Sequence, residues 1–117
     1  MNSTQLSDLV VAVLDDNKAQ EIVKLDVREL TNVTDYMIVA SGTSNRHVRA
    51  LIEHVTEKAK EAGRRPIGVE GEDGGEWVLL DLDDTLVHVM LPKVRAFYNL
   101  EKLWSLGPMV GVAATDG

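Results

Sequence analysis

The segment from Glu76 to Leu91, EWVLLDLDDTLVHVML, constrains the fold more than any other part of the chain. Two alternating runs of strand-forming residues flank Asp83-Asp84, a pair favoured in tight turns, so the segment is predicted to form a β-hairpin. Side chains alternate between the two faces of a strand, so one face of the hairpin is almost purely aliphatic and is predicted to be core. Its cross-strand pairs are Leu82–Thr85, Leu80–Val87 and Val78–Val89.

The opposite face of this hairpin is chemically mixed. Its pairs are Asp81–Leu86, Leu79–His88 and Trp77–Met90. If this face is exposed, its apolar groups form a patch of the kind that marks an interface, and tryptophan is enriched at such contacts. If a helix covers it, the same residues form a second core layer. The periodicity alone leaves both interpretations open.

The rest of the chain is predicted to supply helices and further strands. An amphipathic stripe over residues 6–14 predicts a first helix, and a second should begin near Ser44. Strands are predicted over 21–27, 35–40 and 66–69, and the strand–helix–strand order around the second helix predicts a locally parallel pair. The sequence therefore predicts an α+β fold, a mixed sheet of about five strands backed by two or three helices. One domain is expected over 1–104, followed by a flexible tail over 105–117.

Composition narrows the possible partners. The chain has 117 residues and no cysteine, which fits a reducing cytoplasm and excludes disulfide or thiol chemistry. No signal peptide and no membrane-spanning segment is expected. Its 12 lysines and arginines against 19 acidic residues give a net charge of −7. That excess disfavours direct nucleic-acid binding, and it suits a basic protein partner.

Two short motifs suggest nucleotide chemistry. Asp81-x-Asp83 places two carboxylates on one side of a strand, as in a magnesium site for phosphoryl transfer. Ser41-Gly42-Thr43-Ser44 precedes a helix and could offer backbone N–H groups to a phosphate. The simpler interpretation is that the aspartates form a turn and that Thr43 or Ser44 caps the helix. That interpretation is favoured because no third carboxylate and no lysine-bearing phosphate loop accompanies them.

The three histidines give little support for a metal site. His47 and His54 are seven residues apart on one predicted helix, too far for a single ion. His88 lies on the mixed face of the hairpin, where it could hydrogen-bond a neighbouring carboxylate for structure or contact a partner. A catalytic role is disfavoured, since no serine or threonine is evidently paired with it as a nucleophile.

Several longer motifs together resemble one family, the Iojap-related ribosomal silencing factors (RsfS). The motifs are LDV at 25–27, TDYMIVASGTSNRHV at 34–48, GVEGE at 68–72, WVLLDLDD at 77–84, VHVM at 87–90 and FYNLEKLW at 97–104. The resemblance covers roughly residues 6–104, and the motifs stand in the order and spacing of that family.

The resemblance implies a regulator of translation and not an enzyme, with no cofactor and no metal. Members of the family bind the large ribosomal subunit through ribosomal protein L-fourteen, block joining of the small subunit and repress translation when nutrients are scarce. The family fold is related to nucleotidyltransferases without their active site. A nucleotide- and magnesium-binding protein and a homodimeric adaptor remain as alternatives. The partner-binding residues expected on this basis are Glu70, Trp77, Leu79, Asp81, Asp83, His88, Met90 and Tyr98.

Overall fold

The described part of the chain, residues 1–98 of a computed structural model, forms one mixed five-stranded sheet with three helices. In chain order the elements are α1 (Ser3–Asp16), β1 (Gln20–Asp26), β2 (Tyr36–Ser41), α2 (Asn45–Glu61), β3 (Gly68–Glu70), β4 (Trp77–Asp81), β5 (Thr85–Met90) and α3 (Pro92–Tyr98). The predicted α+β class is confirmed. The tail expected over 105–117 lies outside the described residues.

The β4–β5 hairpin has the predicted register. Val78 pairs with Val89 and Leu80 with Val87, and all four are fully buried. At the turn, Asp83 adopts a positive φ of 77°, and its backbone N–H donates to the Asp81 carboxylate over 2.8 Å. Aspartate tolerates this left-handed conformation better than most residues, so the backbone of Asp83 and the carboxylate of Asp81 both serve the turn.

The strand after α2 was predicted to lie parallel to the strand before it, and this prediction is wrong: β2 has β5, not β3, as its parallel neighbour. The sheet order is β1-β2-β5-β4-β3, in which β2 runs parallel to β5 and all other neighbours are antiparallel. The crossover through α2 carries the chain past the positions of β5 and β4 to the sheet edge, where β4 is the one strand within residues 1–98 that pairs with β3. The β4–β5 hairpin then lies between β2 and β3, with β5 next to β2 and β4 next to β3. Periodicity predicts strands well, but it does not say which strands become neighbours.

Both long helices pack on the same face of the sheet. Ser44 begins α2, because its hydroxyl accepts the backbone N–H of His47 over 3.0 Å. The helices contact each other, and their stripes cover the aliphatic face of the hairpin. The core residues shared by this layer are Leu6, Val10, Val13, Leu14, Ile38, Ala40, Val48, Leu51, Ile52, Val55, Ala59, Val78, Leu80, Leu82, Val87 and Val89. The predicted core face is therefore confirmed.

Membrane-spanning helices and metal-binding clusters are both absent from the described region. Among the helices within residues 1–98, none combines the length and apolarity needed to cross a membrane. Over the same residues, no group of three or more histidine, cysteine, aspartate and glutamate side chains lies close enough together to hold a metal ion.

Candidate functional site

The face of the sheet opposite α1 and α2 is only partly covered. A second buried cluster, formed by Val27, Met37, Val39 and Met90, lies towards β1, β2 and β5, with Leu30 and Val94 of α3 packed against it. Beyond it, Trp77, Leu79, Leu86 and His88 remain half-buried. Within the described residues, the mixed face of the hairpin is thus part of a second core layer at Met90 and an accessible surface at its other residues.

A shallow pocket lies on the accessible part of this face. It is lined by Glu70, Gly71, Trp77, Leu79 and His88, and its volume is about 220 Å³. Three neighbouring strands and the loop after β3 contribute these residues. Four of the five are adjacent through strand pairing: Glu70 pairs with Leu79 across β3–β4, Leu79 with His88 across β4–β5, and Trp77 precedes Leu79 by two on the same face. Of the expected partner-binding residues, the structure brings Glu70, Trp77, Leu79 and His88 together.

A hydrogen bond fixes the orientation of the tryptophan in this pocket. The indole Nε1–H of Trp77 donates to Nδ1 of His88 over 3.0 Å, and the two ring centroids lie 6.0 Å apart at 47°. These residues are diagonal neighbours on the hairpin, a separation that aromatic side chains can span. Because Nδ1 accepts, a neutral His88 carries its proton on Nε2. Of the two interpretations left open for His88, the structural one finds a hydrogen-bond partner, which is the tryptophan indole and not a carboxylate.

Burial also keeps His88 uncharged. It lowers the pKa of this imidazole to about 4 from the ordinary value of 6.5. The folded protein therefore has a neutral side chain at this position near neutral pH. The Trp77 hydrogen bond is compatible with that state only, because a proton on Nδ1 would face the indole N–H.

The lowered pKa of His88 predicts a pH dependence of stability. Between pH about 6.5 and about 4 the unfolded chain binds a proton at His88 and the folded chain does not, so folding loses stability as the pH falls through this window. The substitution His88→Asn removes the titration, and its amide oxygen can still accept from Trp77. Urea unfolding at several pH values should show the wild-type protein losing stability relative to this variant by up to about 1.4 kcal/mol per pH unit. Parallel curves for the two proteins would contradict the assignment.

Gly71 is a pocket residue that the sequence analysis did not single out. It has a φ of +88°, and a Cβ at this position would lie 2.1 Å from the backbone oxygen of Trp77. Any larger residue would therefore push the loop away from β4. The loop is also tied to α2, where Asn45 Nδ2 donates to the Gly74 oxygen over 2.7 Å. The glycine-rich stretch EGEDGG was the available signal, but the close approach to Trp77 depends on the fold.

The remaining expected partner-binding residues lie away from the pocket. Asp83 is exposed at the hairpin turn, and Asp81 is half-buried beside it. Met90 is fully buried in the second cluster, so the prediction that it contacts a partner directly is wrong. Tyr98 ends α3, and its side chain lies outside the described residues.

The residues that suggested phosphate binding are engaged in structural hydrogen bonds. Ser41 is fully buried and its hydroxyl accepts from Arg95 Nη1 over 3.1 Å. The Thr43 backbone N–H donates to Nδ1 of His47, whose Nε2 lies 3.0 Å from the Asn17 oxygen and so joins the end of α1 to the start of α2. With Ser44 capping α2, these contacts support the capping interpretation of the segment.

Comparisons with known proteins agree on one family. The family model described as ribosomal silencing factor during starvation, RsfS, matches residues 1–116. A ribosomal silencing factor RsfS from Chromobacterium violaceum is 48% identical over 104 residues, which cover 89% of this chain and 85% of that protein. A crystal structure of a protein from the same organism superposes with a TM-score of 0.88 at 48% identity, covering 90% of this chain and 88% of that one. A mouse protein named mitochondrial assembly of ribosomal large subunit protein 1 is 34% identical over 102 residues, covering 85% of this chain and 45% of that protein.

Proposed function

This chain belongs to the RsfS family of ribosomal silencing factors, and we propose that it binds the large ribosomal subunit through ribosomal protein L-fourteen. Occupation of that protein would sterically block joining of the small subunit and so repress translation under nutrient limitation. On this proposal the protein acts in the cytoplasm as a binding protein and not as an enzyme. The name of the mouse relative, which refers to the large ribosomal subunit, is consistent with the choice of subunit.

The observation that carries the proposal is a half-buried tryptophan in a concave, largely apolar surface on an acidic protein. Trp77, Leu79 and His88 would form the centre of the contact, where desolvated aromatic groups contribute most to affinity. Glu70, Asp81 and Asp83 would lie at its rim and face basic side chains of the partner. Met90 would support the centre from below.

Tyr98 is a further candidate contact at the end of the described residues. Helix α3 packs against the second cluster through Val94, so its last residue lies at the end of an element that borders this face. We therefore keep Tyr98 as a candidate contact. A domain over 1–104 with a separate tail over 105–117 remains our proposal for the chain as a whole.

The proposed function predicts two measurable activities. The protein should sediment with purified large subunits and not with purified small subunits, because its contact is with a large-subunit protein. Added to a mixture of both subunits, it should reduce formation of the complete ribosome, which light scattering detects. Binding to large subunits without any loss of joining would contradict the steric mechanism, and absence of binding would contradict the proposal.

Two alternatives use the same regions of the chain. A nucleotide- and magnesium-binding protein is disfavoured, because the Asp81 carboxylate and the hydroxyls of Ser41 and Ser44 have structural partners. A homodimeric adaptor would bury the Trp77 face against a second copy. Self-association of the free protein would be compatible with ribosome binding, provided that large subunits dissociate the dimer.

A further inference from the structure

We infer that the pocket beside Trp77 receives one long cationic side chain, a lysine or an arginine, of the protein that docks on this face. The inference rests on the proposed function and specifies the chemistry of its contact. Three properties of the pocket support it: its charge, the nature of its walls and its size.

The charge of the pocket favours a cation. Among the five described residues that line it, Glu70 is the only one with a formal charge near neutral pH, and none of the five is a lysine or an arginine. His88 adds no opposing charge, because burial and the Trp77 hydrogen bond keep its imidazole neutral. The net charge of −7 over the whole chain acts in the same direction at longer range.

The walls of the pocket suit the aliphatic stem that lysine and arginine share. Leu79 and Trp77 offer apolar surface, and Gly71 contributes no side chain that would fill the space. Long basic side chains bury their methylene groups on such surfaces and place the charged end at a carboxylate or an aromatic ring. Glu70 and Trp77 supply one of each within the same pocket.

The volume limits the occupant to a single side chain. A cavity of about 220 Å³ is small for a nucleotide or a drug-sized ligand, whose pockets run from roughly 300 to 1,000 Å³. The cavity opens on a surface whose neighbouring side chains are half-buried, as expected for a side-chain pocket within a larger interface.

The first test measures large-subunit binding by two variants that lose the same charge. Glu70→Gln removes the carboxylate of the pocket. Glu72→Gln is its matched control, because Glu72 follows the end of β3 by only two residues but lines a separate groove with Glu53 and Lys60. We expect Glu70→Gln to weaken binding at least fivefold at low salt and to reduce its salt dependence, and Glu72→Gln to stay within twofold of wild type. Equal affinities of the two variants for large subunits would overturn the inference. The proposed function would still stand in that case, provided that the wild-type protein binds large subunits.

The second test does not need the ribosome. Acetylated three-residue peptides with a central arginine, lysine or norleucine are titrated into ¹⁵N-labelled protein, and the indole Nε1–H signal of Trp77 is followed. We expect saturable shifts with arginine or lysine in the millimolar range and at least fivefold weaker binding of norleucine, which has the stem without the charge. The preference should vanish in Glu70→Gln. If norleucine binds as well as the cationic peptides, or if none of them binds, the inference is wrong whatever the ribosome assay gives.

A chemical cross-link identifies which cation occupies the pocket in the complex. A carbodiimide joins a carboxylate to a lysine amine in direct contact with it, and arginine does not react. A cross-link at Glu70 that is present in wild type and absent in Glu70→Gln would identify lysine. Binding that depends on the Glu70 charge but gives no cross-link would identify arginine. If Glu70 forms no cross-link and binding does not depend on its charge, the inference is wrong.

Discussion

Replacing Trp77 with alanine is expected to weaken binding to the large ribosomal subunit by about 30-fold, which corresponds to about 2 kcal/mol. The indole lines the pocket and packs against the buried cluster around Met90. Its hydrogen bond to His88 holds it in one orientation. Its removal eliminates the largest apolar group of the proposed contact and leaves the His88 acceptor without this partner. A binding titration with purified large subunits measures the effect.

Two controls separate the loss of contact from a loss of folding. The unfolding free energy of Trp77→Ala is measured first, because Trp77 also packs against the second cluster. Ile67→Ala serves as the matched truncation, since Ile67 is 65% exposed and lies outside the pocket. We expect Ile67→Ala to bind within twofold of wild type. Wild-type affinity of a folded Trp77→Ala protein would refute the assignment of this face to the partner.

Adjacent leucines on β4 are expected to behave in opposite ways. Leu80 is fully buried under the helices, so Leu80→Ala should lower the free energy of unfolding by about 2–5 kcal/mol through lost burial and a residual cavity. Leu79 points to the other face and is half-buried in the pocket. Leu79→Ala should cost less than about 1.5 kcal/mol of stability, in line with its partial burial. Urea unfolding measures both values.

Binding by the same two variants completes the comparison. Leu79→Ala should weaken large-subunit binding several-fold under conditions in which it is fully folded. Leu80→Ala, assayed at a temperature where most molecules remain folded, should bind nearly as wild type, because its side chain does not reach the surface. Equal stability losses in the two variants, or a binding loss confined to Leu80→Ala, would mean that the contact face has been assigned wrongly.

The hairpin shows how much of the fold could be predicted from the sequence. Its register, its turn at Asp83 and its core face all follow from side-chain alternation over a few residues, which local geometry determines. The start of α2 at Ser44 was predictable for the same reason, because a cap satisfies backbone groups within one turn. The position of β3 was not, since pairing between strands depends on how the crossover through α2 places them.

Only part of the pocket could be predicted from the sequence. Glu70, Trp77, Leu79 and His88 were expected together, and the structure brings them into one pocket. Met90 was expected at the surface because it shares the face of Trp77, yet Val94 and Leu30 pack on the cluster that buries it. Gly71 was missed because its importance comes from the nearness of the Trp77 backbone, a contact between residues in different elements.

The sequence by itself determined the two-faced character of the segment from Glu76 to Leu91, because alternation and turn chemistry act between near neighbours in the chain. Only the tertiary structure decided what each face does. Both long helices cover the aliphatic face, while the short α3 packs through Val94 on the cluster that contains Met90, and Trp77 and His88 remain half-buried. The physical reason is that helices bury their apolar stripes wherever the chain topology brings them against the sheet, and that choice involves residues far apart in sequence.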